Sequence, residues 1–158
     1  MVKNLKELSP EDIVEIKAAG KTIVATNGCF DILHVGHLRY LEESKAKGDI
    51  LVVGLNSDAS VKRLKGKSRP INNESDRAEL LTGLKPVDYV IVFEEDTACE
   101  FLKTLKPDVY TKGGDYSEEE LKNWPEYAVA QDIACKIETV SFVDGKSSTK
   151  IIEKSAQA

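Results

Sequence analysis

The chain of 158 residues contains 41% hydrophobic and 31% charged residues and has a formal net charge of −5, which is typical of one globular domain with a buried core. The negative charge argues against a general affinity for nucleic-acid backbones, and the aromatic content of only 6% argues against an RNA-binding protein. The sequence shows no apolar run of membrane-spanning length, no signal peptide and no CxxC pair among its three cysteines. We therefore expect a cytoplasmic protein with reduced thiols and without nucleic-acid or membrane partners.

The amino-terminal segment, residues 1–20, is predicted to be helical. An amphipathic pattern covers residues 4–19 in two parts, and the second part begins with Ser9 as N-cap and Pro10 as the first helical residue. Gly20 ends this helix, and residues 21–154 follow as the main part of what we expect to be a single domain overall.

Strands and helices alternate through the main part of the chain. Short β-branched and apolar runs predict five strands, at residues 21–26, 49–55, 88–93, 108–111 and 136–140. The remaining segments predict helices at residues 38–48, 58–64, 76–83, 97–106, 118–122, 126–134 and 147–154, and the expected caps of three of them are Ser57, Asn73 or Ser75, and Asp96 or Thr97. This order predicts an α/β fold with a doubly wound, mainly parallel five-stranded Rossmann-like sheet and helices on both faces.

The stretch at residues 26–41, TNGCFDILHVGHLRYL, contains both histidines of the protein, His34 and His37, three residues apart. It joins the first predicted strand to a helix, and in a parallel sheet this junction lies where ligands bind and where the helix N-terminus attracts anions. Imidazole N–H groups at such a place suit the stabilisation of negative phosphoryl oxygens. The same spacing could hold zinc, but no other histidine exists and Cys29 is the only cysteine nearby. We therefore predict no metal bound by the protein itself.

Residues 27–37, NGCFDILHVGH, resemble the G-x-F-D-x-x-H-x-G-H signature of the cytidylyltransferase-like nucleotidyltransferases. Three further stretches narrow the resemblance, namely NSDASVKRLKG at residues 56–66, KGGDY at 112–116 and SST at 147–149. In this order they resemble the adenylyltransferase half of the bifunctional heptose kinase/adenylyltransferases that make ADP-heptose. The resemblance runs from residue 23 to residue 152, so residues 21–154 are interpreted as a nucleotidyltransferase domain.

The resemblance implies roles for residues in each of these stretches. It assigns three residues to catalysis on the nucleotide phosphates: His34, His37 and Lys62. It assigns a larger set to nucleotide binding: Asn27, Gly28, Cys29, Phe30, Gly36, Lys65, Gly114, Asp115, Ser147, Ser148 and Thr149. It assigns four residues to acceptor binding: Asp31, Asn56, Arg77 and Lys112.

Several of these residues also have an ordinary structural interpretation. Cys29 and Phe30 suit packing beside the loop, and Asp31 suits either orienting the loop or binding part of the acceptor. Lysine-rich stretches such as residues 62–65 are usually solvated surfaces. Arg77 suits an ion pair with an acidic residue as well as a catalytic role.

The last two motifs allow structural alternatives as well. Asp115 and residues 147–149 could be plain helix caps rather than ligand contacts. Ile152 stands where many relatives in the wider family have an arginine, which the heptose and glycerol branches also lack. Lys146 or Lys150 could supply the missing charge to the γ-phosphate.

The resemblance implies an enzyme that joins ATP and D-glycero-β-D-manno-heptose 1-phosphate to give ADP-heptose and pyrophosphate, by direct in-line attack on the α-phosphate. Its product would serve the synthesis of lipopolysaccharide core or of other heptose-containing glycans. Mg²⁺ is expected to accompany ATP, held more by the phosphates than by a protein cage. The sequence shows no kinase half, so we expect a stand-alone transferase supplied by a separate kinase. A homodimer is an option, although no residue pattern marks an interface.

Two other functions stay open at this point. A cytidylyltransferase acting on glycerol 3-phosphate or a related polyol phosphate would share the first motif and the S-T-T-like end, whereas residues 61–66 and 112–116 favour the heptose branch. A non-catalytic nucleotide-binding module would bind ATP without turnover. The presence of both histidines and of the basic loop argues against such a module.

Overall fold

The computed structural model describes residues 8–141, 143 and 145–157. Five strands form its sheet: β1 (Ile23–Gly28), β2 (Ile50–Asn56), β3 (Tyr89–Phe93), β4 (Val109–Gly113) and β5 (Lys136–Val140). Their order is β3-β2-β1-β4-β5, and all four neighbouring pairs are parallel. The prediction of a five-stranded doubly wound sheet is confirmed, with every strand parallel.

Eight helices accompany the sheet in the described residues: α1 (Pro10–Ala18), α2 (Val35–Lys45), α3 (Asp58–Lys65), α4 (Glu74–Thr82), α5 (Cys99–Leu105), α6 (Glu118–Lys122), α7 (Pro125–Asp132) and α8 (Ser148–Ala156). Successive strand residues point to opposite faces, so Ile23 and Ala25 pack into one core with α1, α5 and α7, while Val24 packs into a second core with α2 and α4. Helices therefore cover both faces, as predicted. Within the described residues no helix is both long and apolar enough to cross a membrane.

Helix α1 begins as the sequence predicts. The Ser9 hydroxyl accepts from the Asp12 amide at 3.1 Å, and the Asp12 carboxylate accepts from the Ser9 amide at 2.8 Å, which satisfies two amides that the first turn leaves unpaired. Leu8 and Ile13 are buried in the core beside α5, so α1 packs onto the sheet. The first part of the predicted helix, residues 4–7, lies outside the described residues.

Several helix ends differ from the prediction by one to three residues, those of α2, α5 and α8 among them. Helix α2 begins at Val35, three residues early, because the His34 side chain caps it. The expected caps of α5 are wrong, since its N-cap is Ala98, whose amide donates to the carboxylate of Glu126 at 3.0 Å. Helix α8 continues to Ala156, beyond the predicted end at residue 154.

The seam between β1 and β4 is the shortest strand pairing in the sheet, with Val24 opposite Val109 and Ala25 opposite Tyr110. Towards their carboxyl ends the two strands are joined by side chains instead, because the hydroxyls of Thr26 and Tyr40 both donate to the Thr111 carbonyl at 3.1 Å. The strand order also reverses here, since β1 connects to β2 on one side while β4 lies on the other. Such a switch point is where ligands bind in open α/β sheets.

Candidate active site

A cavity of about 560 Å³ opens at the carboxyl ends of β1 and β4. Most of the site residues that the sequence predicts line it: Asn27, Gly28, Cys29, Phe30, Asp31, His34, Gly36, His37, Lys65, Lys112, Ser147, Ser148 and Thr149. The structure therefore brings together residues from all four motifs, which are far apart in the sequence.

The two histidines form a stacked pair at the start of α2. Their ring centroids are 3.9 Å apart with an interplanar angle of 24°. The Nδ1 atom of His34 accepts from the Gly36 amide at 3.1 Å, and the Nδ1 atom of His37 accepts from the His34 amide at 3.4 Å. Since both Nδ1 atoms act as acceptors, the proton of each neutral ring is assigned to Nε2. The pair can thus offer two Nε2–H donors to a ligand.

Both imidazoles are neutral at pH 7. Burial, the neighbouring His34 and the positive charge of Lys65 together lower the pKa of His37 to about 4. Burial also lowers the pKa of His34, with a contribution from Lys146. The pair is therefore suited to hydrogen bonding with anionic oxygens without carrying a charge of its own.

Gly36 and Phe30 fix the position of the pair. A Cβ atom at Gly36 would lie 2.8 Å from the His34 ring and 3.2 Å from the Cβ atom of Lys146, so only glycine allows this approach. Phe30 is buried, and its ring centroid lies 5.1 Å from that of His37. Burial also raises the pKa of the Cys29 thiol, which stays protonated. The burial and the ring contact of Phe30 favour its packing interpretation.

The start of α8 docks against the first motif. The Ser147 hydroxyl accepts from the Lys150 amide at 3.1 Å, and the Ser148 hydroxyl donates to the Ile32 carbonyl at 2.8 Å. The N-termini of α2 and α8 consequently converge on the cavity, and both attract anions. Lys146 lines the cavity as well, whereas the exposed Lys150 does not.

Asp31 holds the loop that leads into α4. Its two carboxylate oxygens accept from Arg69 Nε at 2.5 Å, from the Ile71 amide at 2.8 Å and from the Asn72 amide at 3.1 Å. Burial works to raise the pKa of Asp31, but the hydrogen bonds from Asn72, Arg69 and Ile71 outweigh it and lower the pKa. Of the two alternatives for Asp31, the geometry favours orientation of the loop, because protein donors already engage both oxygens.

Asn56 and Arg77 lie behind the cavity wall rather than on it. Arg77 is 1% exposed, and its guanidinium donates to the carbonyls of Cys29 at 2.6 Å, Asn56 at 2.9 Å and Asn72 at 2.9 Å. It also pairs with the Asp58 carboxylate at 2.7 Å. Both residues are buried and hydrogen-bonded within the protein, and their contact with the acceptor stays a prediction.

Three other predicted residues lie outside the cavity lining. Lys62 is exposed on α3, while Lys65, one turn later, reaches the cavity. Asp115 is exposed, and the Gly114 amide donates to the Val140 carbonyl at 2.9 Å. In this structure the contact of these residues with a nucleotide stays a prediction.

A group of lining residues beyond the KGGDY motif was not predicted from the sequence. The Trp124 ring meets the Tyr116 ring edge-on at 4.6 Å, and Lys112 Nζ lies 5.6 Å from the Trp124 centroid. Beside them lies Glu126, which is 8% exposed. Burial lowers the pKa of Lys112, and Glu126 opposes that shift. The one available signal was the single tryptophan of the chain shortly after the motif.

Comparisons with known proteins agree with this geometry. Residues 25–154 match the family model described as Cytidylyltransferase-like. The bifunctional protein HldE of Aliarcobacter butzleri is 56% identical over 135 residues, which cover 85% of this chain and 27% of that protein. HldE of Geobacter metallireducens is 51% identical over 162 aligned positions, which cover 99% of this chain and 31% of that protein. The chain thus spans less than a third of the length of these curated relatives.

A solved structure shares the fold. The crystal structure of the lipopolysaccharide core biosynthesis protein from Thermoplasma volcanium GSS1 is 38% identical, with a TM-score of 0.67 over 79% of this chain and 100% of that chain. The sheet order, the stacked histidines and the extent of these matches lead to one conclusion: this chain belongs to the cytidylyltransferase-like family and is a nucleotidyltransferase.

Proposed function

We propose that the protein transfers the adenylyl group of ATP to D-glycero-β-D-manno-heptose 1-phosphate, giving ADP-heptose and pyrophosphate. The observation that carries this proposal is the stacked pair of neutral imidazoles at two converging helix N-termini. The identity to the HldE proteins over nearly the whole chain supports the choice of nucleotide and sugar phosphate. The similarity to a lipopolysaccharide core biosynthesis protein is consistent with it.

The reaction requires little proton transfer by the protein. A phosphate oxygen of the sugar attacks the α-phosphorus, a new P–O bond forms, and the bond from the α-phosphorus to the oxygen that bridges the β-phosphate breaks, so that pyrophosphate leaves. Attacking and leaving groups are both anionic already, so no strong base is needed. The low pKa of His37 fits this chemistry, because a neutral ring donates through Nε2–H as charge accumulates on the phosphoryl oxygens.

The groups around the pair would bind the two substrates. Lys146 and the start of α8, with the hydroxyls of residues 147–149, would hold the β- and γ-phosphates. Asn27 lies beside Lys112, whose ammonium donates to its side-chain carbonyl at 3.0 Å, and this pair would contact the acceptor or the ribose. Lys62 would approach the phosphates only if α3 moves towards the cavity when nucleotide binds.

Mg²⁺ would enter with the triphosphate. Within the described part of the chain, no three or more histidine, cysteine, aspartate or glutamate side chains cluster as a cation site. Among the described residues, the two carboxylates on the cavity wall are engaged, Asp31 by the loop and Glu126 by the Ala98 amide. This donor set suits a cation that the phosphate oxygens hold, and the cation would neutralise part of their charge.

The decisive experiment measures pyrophosphate release by the purified protein, with ATP, CTP, GTP and UTP each tested against heptose 1-phosphate and glycerol 3-phosphate. Turnover confined to ATP with heptose 1-phosphate is the expected result. Turnover confined to CTP with glycerol 3-phosphate would contradict the substrates and retain the histidine chemistry. If no pair reacts while ATP still protects the protein from thermal unfolding, the chain acts as a nucleotide-binding module and the proposal fails.

A further inference from the structure

Arg69, in the loop between α3 and α4, lies on the cavity wall with 11% of its side-chain surface exposed. Its Nε atom donates to Asp31 at 2.5 Å. Its Nη2 atom is shielded from solvent and has no hydrogen-bond acceptor among the described residues. Buried polar side-chain atoms nearly always find a partner, so an unpaired guanidinium nitrogen at a cavity wall calls for an explanation.

The hydrogen bonds of Asp31 explain why the Nη2 atom of Arg69 has no acceptor while its Nε atom has one. An arginine and a carboxylate often form two parallel hydrogen bonds. Here the second oxygen of Asp31 accepts from the amides of Ile71 at 2.8 Å and Asn72 at 3.1 Å, so Arg69 donates one hydrogen bond to the carboxylate instead of two. The protein thus directs its own acceptor towards the loop backbone and leaves part of the guanidinium unpaired.

The loop that carries Arg69 is held in place at Asn72, three residues further along the chain. The Asn72 side chain donates to the Asp31 carbonyl at 2.8 Å, and Arg77 donates to the Asn72 carbonyl at 2.9 Å. Arg77 also donates to the Cys29 carbonyl at 2.6 Å, which ties the loop to the first motif. Arg69 is therefore presented by a preorganised frame, which reduces the entropy that a ligand contact costs.

The position of Arg69 relative to the histidine pair indicates which anion it meets. Lys146 and the start of α8 lie beside His34, where the Gly36 backbone approaches them. Lys65 lies near His37, and Arg69 lies near Cys29 on that side of the cavity. In an in-line displacement the entering and leaving groups occupy opposite sides of the α-phosphorus. If the His34 side holds the departing pyrophosphate, the entering phosphate approaches from the His37 side.

We propose that Arg69 binds the phosphate group of the acceptor, with the unpaired edge of its guanidinium as the donor. The planar fork of arginine matches two phosphate oxygens, which the point charge of a lysine cannot reproduce. This inference rests on the proposed transfer to a sugar phosphate. The inference adds Arg69 to the residues that position the attacking phosphate oxygen of the acceptor.

The test compares Arg69→Lys and Arg69→Gln with a matched control, Arg63→Gln. Arg63 is an exposed arginine on α3 that pairs with Asp96 at 2.7 Å and does not line the cavity. We expect KM for heptose 1-phosphate to rise about tenfold in Arg69→Lys and about a hundredfold in Arg69→Gln, with KM for ATP within about twofold of the wild type. The control should match the wild type in both constants.

A rise in KM for ATP with KM for heptose 1-phosphate unchanged would overturn the proposal and assign Arg69 to nucleotide binding. Lower thermal stability of both Arg69 variants with both constants unchanged would overturn it as well, because Arg69 would then only hold the loop. Arg69→Lys retains charge and bulk, so it keeps the comparison valid should Arg69→Gln fail to fold.

A second measurement separates this proposal from the choice of substrate. With α,β-methylene-ATP filling the nucleotide site, inorganic phosphate should protect the wild type and Arg63→Gln from thermal unfolding, and Arg69→Gln should lose most of that protection. If no acceptor is turned over yet this difference persists, the proposed sugar phosphate is wrong and the anion site at Arg69 stands. Equal protection of all three proteins would refute the site.

Discussion

The two walls of the cavity differ in where their polar side chains find partners. On one side, residues 56–58 and 71–77 form a layer behind the cavity lining, which we call the closed wall; most of its polar groups bond within the protein, and Arg77 alone donates to three carbonyls and a carboxylate. On the wall formed by residues 110–126, the open wall, Lys112 makes one side-chain hydrogen bond within the described residues, to Asn27, and its ammonium otherwise lies over the rings of Tyr110 and Trp124.

This difference separates groups that hold the shape from groups that can meet a ligand. A polar side chain whose hydrogen bonds are made within the protein contributes to stability, whereas an unpaired donor at a cavity wall is available to bind substrate. Substitutions on the closed wall should therefore reduce stability. Substitutions on the open wall and in the histidine pair, whose hydrogen bonds within the described residues use only Nδ1, should reduce turnover.

The largest effect is expected for His37→Ala. Removing one donor to the developing phosphoryl charge should lower kcat about a thousandfold, or about 4 kcal/mol, with the melting temperature nearly unchanged. Steady-state pyrophosphate release and thermal unfolding measure the two quantities. ATP-dependent thermal protection is the control for an intact site. A kcat within tenfold of the wild type would remove the histidine from the chemistry.

Arg77→Leu tests the closed wall. The variant leaves the carbonyls of Cys29, Asn56 and Asn72 without their donor, so we expect the free energy of unfolding to fall by about 3 kcal/mol in urea titrations. Arg63→Leu is the matched control, because it removes an exposed ion pair with a contribution of about 0–1 kcal/mol. Equal losses in the two variants would show that the closed wall is not a stabilising frame.

The pH dependence of stability tests the burial of His37. Its pKa falls from 6.5 to about 4 on folding, so between these values the unfolded chain binds more protons than the folded one. The free energy of unfolding is therefore unaffected by this group above pH 6.5 and falls as the pH falls towards 4. We expect a fall of about 2 kcal/mol, because solvent that reaches the ring reduces the effect. The difference between wild type and His37→Ala, measured by urea unfolding at pH 7 and pH 4.5, should show this loss. Parallel pH curves would contradict the low pKa.

Lys112→Met gives the smallest effect and tests the open wall. We expect KM for the acceptor to rise about tenfold, which corresponds to about 1.4 kcal/mol, while stability stays the same or rises because the buried cation is removed. Lys122→Met is the control, since Lys122 is an exposed residue of α6 that pairs with Glu118. A loss of stability without a change in KM would place Lys112 with the closed wall.

The sequence predicted the parallel sheet, the helices on both of its faces and the meeting of the motifs at one edge. These features were predictable because apolar periodicity and helix caps are local signals. Ser57 and Asn73 cap α3 and α4 as expected. The cap of α5 could not be predicted, since Glu126 supplies it from another helix. The early start of α2 was missed for a related reason. Histidine is not a usual capping residue, and His34 caps because the loop places its Nδ1 atom over the Gly36 amide.

The side-chain directions at the strand ends were the least predictable part of the site. Asn56 ends β2 within a recognised motif, yet its side chain donates to Ser60 at 3.0 Å inside the protein. Motif spacing gives position along the chain but not which side of the wall a side chain occupies. Trp124 and Glu126 were missed because they reach the cavity through the packing of α6 and α7, which no short pattern encodes.

The short seam between β1 and β4 has a consequence for how such a site can diversify. Elsewhere the strands pair along five or six residues, so a backbone ladder sets their spacing. At the seam the distance between strands depends on hydroxyl groups, those of Thr26, Tyr40 and Tyr110, the last donating to Asn27 at 2.5 Å. Single substitutions among these three side chains can widen or narrow the mouth of the cavity while the ladders keep the sheet intact. The width of the cavity mouth, and with it the size of a molecule that fits, is thus expected to depend on three buried side chains at the centre of the sheet.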